Sequence, residues 1–434
     1  MEKVEKTKET NSKKGGDKYV WVIIALSFLM VFTVLGFCSS SKGVYLNAIT
    51  SSLNIDRTLF AISDSIRYVT TAVVNIFFGY LIMRFGVKKL VVAGFVALIG
   101  SMICYAVAES IYVFYVGGFL LGVGLSWTTT TMVGYVVNRW CKKNRGTIMG
   151  FILASNGIGG AVAISLLGPF IEAPNFGYRT AYWIIVGILA VVGILCAIFY
   201  KEKPVESEED RKVEKKKGRG RSWSGIELSK ASKKTYFYLA CVCIFLTGFV
   251  LQGITNVANA HIKDVTGDDT LANTITSISL IILACSKFLV GFVYDKKGLR
   301  LTSTICSCAA VVVTFVLTFI GKTPYPAVFG ILYAIMSSVA LPLETIMLPI
   351  YAGDLFGEKS YSKILGIFVS VNTAGYALGA PAINLCHTLT GSYDIGFIIS
   401  AIVMIAVIVT LQFVISASQK ERRAVEGEIV ENVA

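Results

Sequence analysis

From the N-terminus onward, polar residues are confined to a short first tail and then serve only to separate long apolar runs. Runs of about 20 apolar residues, the length that carries a helix through roughly 30 Å of hydrocarbon, begin near Tyr19, Thr58, Lys88, Ile111, Gly146, Arg179, Lys234, Leu271, Leu301, Pro324, Tyr361 and Tyr393. They are apolar on every face rather than alternating residue by residue, so the pattern predicts spanning helices and not the strands of a membrane barrel. An all-α membrane protein with twelve transmembrane helices follows. The polar stretches divide it into a cytoplasmic N-terminal tail (1–18), six spans (19–200), a connector (201–233), six further spans (234–418) and a C-terminal tail (419–434). The connector mixes charges with little apolar content, which predicts a flexible or only partly helical cytoplasmic segment. The first run is long and lacks a small-residue cleavage site, so it reads as an uncleaved helix.

Composition agrees: 55% of residues are hydrophobic and 15% charged, against about 25% charged in soluble domains. The net charge of +13 changes the picture only through its distribution. Thirty-three Lys and Arg fall in the tails and even-numbered loops, and five (Lys42, Arg57, Arg179, Lys263 and Lys322) in the odd-numbered ones. That asymmetry is the positive-inside rule, so both termini are expected in the cytoplasm, and the basic charge needs no nucleic acid partner to explain it.

Two internal matches reveal a repeat. "GYLIMRFGVKK" from Gly79 superimposes on "GFVYDKKGLR" from Gly291 at an offset of 212, aligning Gly79 with Gly291, Arg84 with Lys296, Gly86 with Gly298 and Lys88 with Arg300. "GFILASNGIGG" from Gly150 superimposes on "GIFVSVNTAGYALG" from Gly366 at an offset of 216, aligning Asn156 with Asn372 and Gly159 with Gly375. Two matches at nearly one offset imply two homologous six-helix halves.

Chemistry on a bound substrate finds no support. Ten cysteines lie almost wholly within spans, and the Cys241/Cys243 and Cys306/Cys308 spacing points the thiols apart on a helix. With only His261 and His387 available, no metal cluster of known spacing can be built, and the phosphate-cradling GxxxxGK[ST], GxSxG and HExxH motifs are absent. Neither catalytic residues nor a cofactor are expected.

Six plus six helices, a long central loop and G-x-x-x-D-[RK]-x-G-x-[RK] after the second and eighth helices resemble the major facilitator superfamily, over essentially residues 19–418. "NRGTIMGFILASNGIGG", "FGYRTAYW" and "AGDLFGEKSYSKILG" resemble its oxalate/formate antiporter and monocarboxylate transporter branches. The first loop motif departs from the pattern, with Met83 where an acid is expected; only Asp295 retains it. The resemblance implies a conformational latch at this loop, built from Gly79, Arg84, Gly86, Gly291, Asp295, Lys296, Gly298 and Arg300, in which Asp295 meets a helix N-terminus or a nearby base. The alternative is solvated loop charges that fix topology.

Lys287 stands inside an apolar run, about 21 Å deep by helical rise. A buried ammonium costs about 2.5–3.5 kcal/mol even on insertion scales, which an aqueous cavity and an anionic substrate would offset; snorkelling toward the cytoplasmic headgroups or a structural pair is the alternative. The resemblance sharpens this: Lys287 lies four residues before Gly291, where both branches carry a substrate-binding arginine, and Lys42 matches the first-helix lysine of monocarboxylate transporters, with an interfacial anchor as its other reading. Leu283 replaces the aspartate that those transporters pair with their arginine, and the eleventh helix lacks the antiporter's second deep cation, so a monocarboxylate is favoured over a dicarboxylate.

Asp64 and Arg67, one turn apart, are placed to neutralise each other or to serve gating or coupling. Glu344 reads as an interaction near the cytoplasmic end of the tenth helix, or as a coupling site. Asn75, Asn156 and Asn372 either line the cavity or bond between helices. Gly157, Gly159, Gly160, Gly375 and Gly379 give the fifth and eleventh helices smooth faces on which the halves can rock.

The reading is a monomeric secondary transporter in the plasma membrane, a bacterial inner membrane by the absence of glycosylation sequons. It moves a small organic anion, with protons or a counter-transported anion as coupling partner. Efflux of amphipathic compounds and a non-transporting nutrient sensor are the alternatives.

Overall fold

The computed structural model describes residues 2–53, 55, 57–141, 143–172, 177–201 and 225–431, and among these the chain is helical without strands. In order the helices are α1 (Glu2–Leu35, extended by a wider π turn over Gly36–Ser40), α2 (Lys42–Leu53), α3 (Arg57–Ile76), α4 (Phe78–Val107), α5 (Ile111–Thr128), α6 (Thr130–Trp140), α7 (Arg145–Glu172) and α8 (Gly177–Phe199). After the connector come α9 (Leu228–Ala231), α10 (Thr235–Thr266), α11 (Asp269–Lys297), α12 (Leu299–Ile320), α13 (Pro326–Ala340), α14 (Met347–Phe356), α15 (Tyr361–Thr390) and α16 (Asp394–Glu431).

Eleven helices among the described residues are long and apolar enough to cross a membrane. The remaining crossing is the second, whose helix α3 carries Asp64 and Arg67. It continues through residues 78–85 and ends where Gly86 leaves helical geometry at φ 77°, ψ 168°. Before Gly86 the chain lies against α15, since a Cβ on Gly79 would fall 2.5 Å from Cα of Lys363; after it, Gly94 faces Thr128 of α5. Gly298, its image in the repeat, has nearly the same backbone at φ 82°, ψ 177°, a left-handed region that favours glycine. Both matching loops therefore turn on the same residue type.

The fourth and tenth crossings are interrupted. Thr129 between α5 and α6 sits at φ −122°, ψ −140°, and Thr345, after the 3₁₀ turn Leu341–Glu344, at φ −123°, ψ −65°. These two threonines are 216 positions apart, so each half breaks the same crossing at the same place.

Bare backbone brings the halves together along two seams. In one, α7 meets α11: Cβ atoms on Gly146 and Gly150 would fall 2.5 and 2.3 Å from the main-chain oxygens of Gly291 and Lys287. In the other, α15 meets α3, and a Cβ on Gly366 would fall 2.3 Å from the oxygen of Asn75. The repeat offsets convert the Gly150–Lys287 contact into the Gly366–Asn75 contact. Further cross-half bonds cluster at the end that carries the basic loops, where Tyr361 donates to the Gly134 carbonyl at 3.1 Å and Arg145 pairs with Glu358 at 3.3 Å. Toward the opposite end of α7, nothing lies within 4 Å of where a Cβ on Gly168 would stand. The molecule is closed at its basic end.

Of the connector, residues 202–224 lie outside the described residues. Its last stretch docks on the turn before α15: the Ile226 amide donates to the Phe356 carbonyl at 3.0 Å, the Leu228 amide to Ser360 Oγ at 2.9 Å, and Lys359 pairs with Glu227 at 3.0 Å. Ile226 and Ala231 are buried there.

Candidate transport site

Two basic side chains and one acidic one are buried within the crossings: Lys287 (4% exposed), Arg67 (8%) and Glu344 (3%). Uncompensated, each would cost several kcal/mol, so their partners define the site. Lys287 is held by the seam itself. Its helix touches Gly150 of the other half through backbone, and its Nζ donates to the Leu153 carbonyl of α7 at 3.3 Å. An ammonium offers three donors, and this is its one hydrogen bond among the described residues. The sequence offered a substrate anion, the headgroups or a structural partner; the structure shows a carbonyl across the interface.

Glu344 closes the apolar span Pro326–Glu344, at the end where the sequence places it. It occupies the 3₁₀ break of the tenth crossing, and the ten-residue helix α14 continues beyond it. Pro342 and Pro349 bracket the break, removing amide donors and disfavouring a continuous helix. Gln252 Nε2 donates to Glu344 Oε2 at 3.1 Å, and the Tyr376 hydroxyl lies beside the same carboxylate. Among the described residues, no ion pair joins Glu344 to Lys287.

Arg67 belongs to the first half. It pairs with Asp64 at 3.2 Å, donates to Ser39 Oγ in the π turn at 2.9 Å, and covers the Tyr68 ring at 4.3 Å. Tyr68 in turn meets Tyr376 edge-on, with centroids 6.1 Å apart. An aromatic bridge therefore links the first-half cation to the second-half carboxylate. Gln252, Tyr68 and Tyr376 were not singled out in the sequence, since single polar or aromatic residues in apolar helices carry no signal of which way they face.

The asparagines make bonds within and between helices. Asn75 is fully buried, donates to the Thr71 carbonyl at 2.8 Å and accepts from Thr131 Oγ1 at 2.8 Å. Asn372 donates to the Ile244 carbonyl at 3.1 Å, and Asn156 accepts from Ser40 Oγ at 2.8 Å. The Lys42 side chain lies outside the described residues.

At the basic end, Asp295 reaches from one half to the N-terminus of α7 in the other. It accepts from the Gly146 amide at 3.0 Å, the Thr147 amide at 2.7 Å and Thr147 Oγ1 at 2.6 Å, satisfying amides that a helix start leaves without partners. Its neighbours in the motif stay within their own half: Arg84 donates to the Tyr80 hydroxyl at 2.7 Å, Lys296 covers the Phe292 ring at 4.4 Å, and Arg300 donates to Ser416 Oγ at 2.7 Å.

Two buried cations and a buried carboxylate at the meeting of two pseudo-symmetric helical halves suit a carrier. The Major Facilitator Superfamily sequence model matches residues 20–344 and 240–432. The chain belongs to this superfamily. Its similar proteins include a sialic acid transporter of Escherichia coli (21% identical, 87% of this chain and 86% of the relative). They also include the cis,cis-muconate transport protein of Acinetobacter baylyi (23%, 88% and 94%) and the human lysosomal dipeptide transporter (22%, 81% and 78%). Among solved structures, the fold resembles the E. coli fucose:proton symporter (TM-score 0.67, 12% identical, 91% of this chain and 99% of that one). It also resembles a proton:xylose symporter (TM-score 0.72, 13%, 92% and 96%). The protein is a multi-pass membrane transporter, not an enzyme.

Proposed function

We propose that this superfamily member is a secondary active transporter of a small organic anion, a monocarboxylate in our reading, working by alternating access. The observation that carries the proposal is Lys287: a buried ammonium with donors to spare, set in the seam between the halves. Arg67 supplies a second cation from the opposite half. Lysine presents a point charge rather than a bidentate fork, which suits one carboxylate better than two. Sialic acid and muconate, named for two of the relatives, are both organic acids.

With the basic loops in the cytoplasm, the closed end faces inward and the substrate enters from outside. Asp295 on α7 and the glycine seams hold that state, and rocking of the two halves exchanges it for its opposite. Glu344 is the coupling group: a carboxylate entering beside it brings like charges together, a conflict relieved by a proton or by exchange with another anion.

Counterflow in proteoliposomes tests the reading with labelled formate, lactate, pyruvate and oxalate, comparing wild type with Lys287→Gln. Saturable counterflow of one acid that disappears in the variant is the expected result. Flux that survives the substitution returns the site to an amphipathic efflux role, and tight binding without flux to a sensor.

A further inference from the structure

The turn that leads into α15 is bonded on two sides at once. Phe356, Lys359 and Ser360 meet the end of the connector: the Ile226 amide donates to the Phe356 carbonyl at 3.0 Å, Lys359 pairs with Glu227 at 3.0 Å, and the Leu228 amide donates to Ser360 Oγ at 2.9 Å. Glu358 and Tyr361, interleaved with them, reach the first half. Glu358 accepts from Arg145 at 3.3 Å, and Tyr361 donates to the Gly134 carbonyl at 3.1 Å. Arg145 is already held on its own side, donating to the Cys141 carbonyl at 2.8 Å and to Asn138 Oδ1 at 2.7 Å, so what remains to be set is the turn. Near its start Gly357 stands at φ 76°, a conformation that favours glycine, and glycine does little to fix its own backbone. The connector lies directly on it. A Cβ on Gly225 would fall 2.7 Å from Cα of Gly357, and the buried Ile226 and Ala231 anchor the segment.

We infer that the docked end of the connector, residues 225–231, is a regulatory strap on the closed form: it fixes the turn that carries Glu358 and Tyr361 across to the first half. Arg145 and Glu358 are 29% and 34% exposed, and a pair so open to solvent contributes little when its side chains must first be ordered. The connector does that ordering beforehand, strengthening the cross-half bonds without joining them. Lifting it away frees the turn and weakens both bonds, while the glycine seams and the Asp295 cap keep their own contacts. The inference rests on alternating access and on no particular substrate.

Two substitutions undock the strap without touching a cross-half bond. Ile226→Asp puts a charge into the buried contact, and Ser360→Ala removes the acceptor of the Leu228 amide from a side chain that does not cap α15. Each is read in the full-length protein by the labelling rate of a cysteine introduced near Thr147, beside Glu358→Gln/Tyr361→Phe, which removes the cross-half bonds directly. Ile226→Asp is expected to raise labelling severalfold, and Ser360→Ala at least about twofold, a factor that one hydrogen bond supports. Neither should add to Glu358→Gln/Tyr361→Phe, because changes that act through the same bonds are not additive. If Ile226→Asp folds poorly, Ser360→Ala decides alone. Unchanged labelling in the folded variants, or a rise that persists in full on top of Glu358→Gln/Tyr361→Phe, overturns the inference and leaves alternating access standing. No rise even in Glu358→Gln/Tyr361→Phe overturns the inference and counts against the basic end as a gate.

Discussion

A methyl group on Gly150 would lie 2.3 Å from the main-chain oxygen of Lys287, so the helix bearing the buried ammonium meets the other half of the protein through bare backbone. Opening the basic end must part this contact, and substrate on Lys287 sits where the parting begins. Gly150→Ala is expected to exclude the closed state described here, because neither partner is a flexible side-chain end. Labelling of a single cysteine placed near Thr147 should rise severalfold, with counterflow reduced at least about tenfold. Unchanged labelling in a folded variant would count against the seam as a gate. Gly366→Ala, its image against Asn75, should behave alike.

Asp295 caps the start of α7 with three bonds. Asp295→Ala strands two amides, a loss of about 1–3 kcal/mol, which is expected to shift the population toward the form open at the basic end. The same cysteine-labelling assay reads this shift, and full retention of the closed population would remove Asp295 from the latch.

Met83 occupies the corresponding place in the first repeat and is exposed. Met83→Asp is expected to reach the first turn of α15, strengthening closure and slowing exchange. A helix-terminus carboxylate contributes about 0.3–1 kcal/mol, so the melting temperature in detergent should rise by only a degree or a few. A fall in melting temperature would show that the second seam lacks room for the cap.

Arg67 serves Ser39, Asp64 and Tyr68 at once. Arg67→Lys keeps charge but cannot hold all three contacts, so counterflow should persist with weakened apparent affinity. Arg67→Leu removes the ion pair with Asp64 and should cost folding yield as well. Equal activity of the two variants would separate Arg67 from substrate binding.

The docked end of the connector offers a pH test. The Lys359 ammonium, by hydrogen bond and charge, holds the Glu227 carboxyl below its ordinary value. A depressed carboxyl stabilises the docked form above the ordinary glutamate range, and that contribution disappears as pH falls through the lowered value. The pair is exposed, so the effect is small. Proteolysis near Gly225 should quicken modestly in acid for wild type and show no such dependence in Glu227→Gln.

Much of this was written in the sequence. Span starts predicted at Ile111, Gly146, Lys234 and Tyr361 fall within a residue of the observed helix starts, because lipid imposes a length on apolar runs that no tertiary contact overrides. The repeat offsets aligned Gly86 with Gly298, and the two turn alike. The site was less legible. Hydropathy placed Glu344 at the end of an apolar span, as it is, but did not show the 3₁₀ turn there or the helix that follows it, although Pro342 and Pro349 were a usable sign. Tyr68, Tyr376 and Gln252 matter through which helix faces which, and a single sequence does not record facing. Asn75 and Asn372 looked like cavity polar groups because a buried amide that ties two helices together has the same letter as one that binds a ligand.

The unequal loops at Asp295 and Met83 have a consequence for how the molecule moves. Two matching doors close the basic end, and only one of them has a bolt. The unbolted side, where α15 rests on residues 72–83, has less to undo and should swing first, leaving the α7–α11 side as the hinge until Asp295 lets go. Exchange between the two faces then proceeds in an ordered pair of movements, with the slower one governed by a single carboxylate.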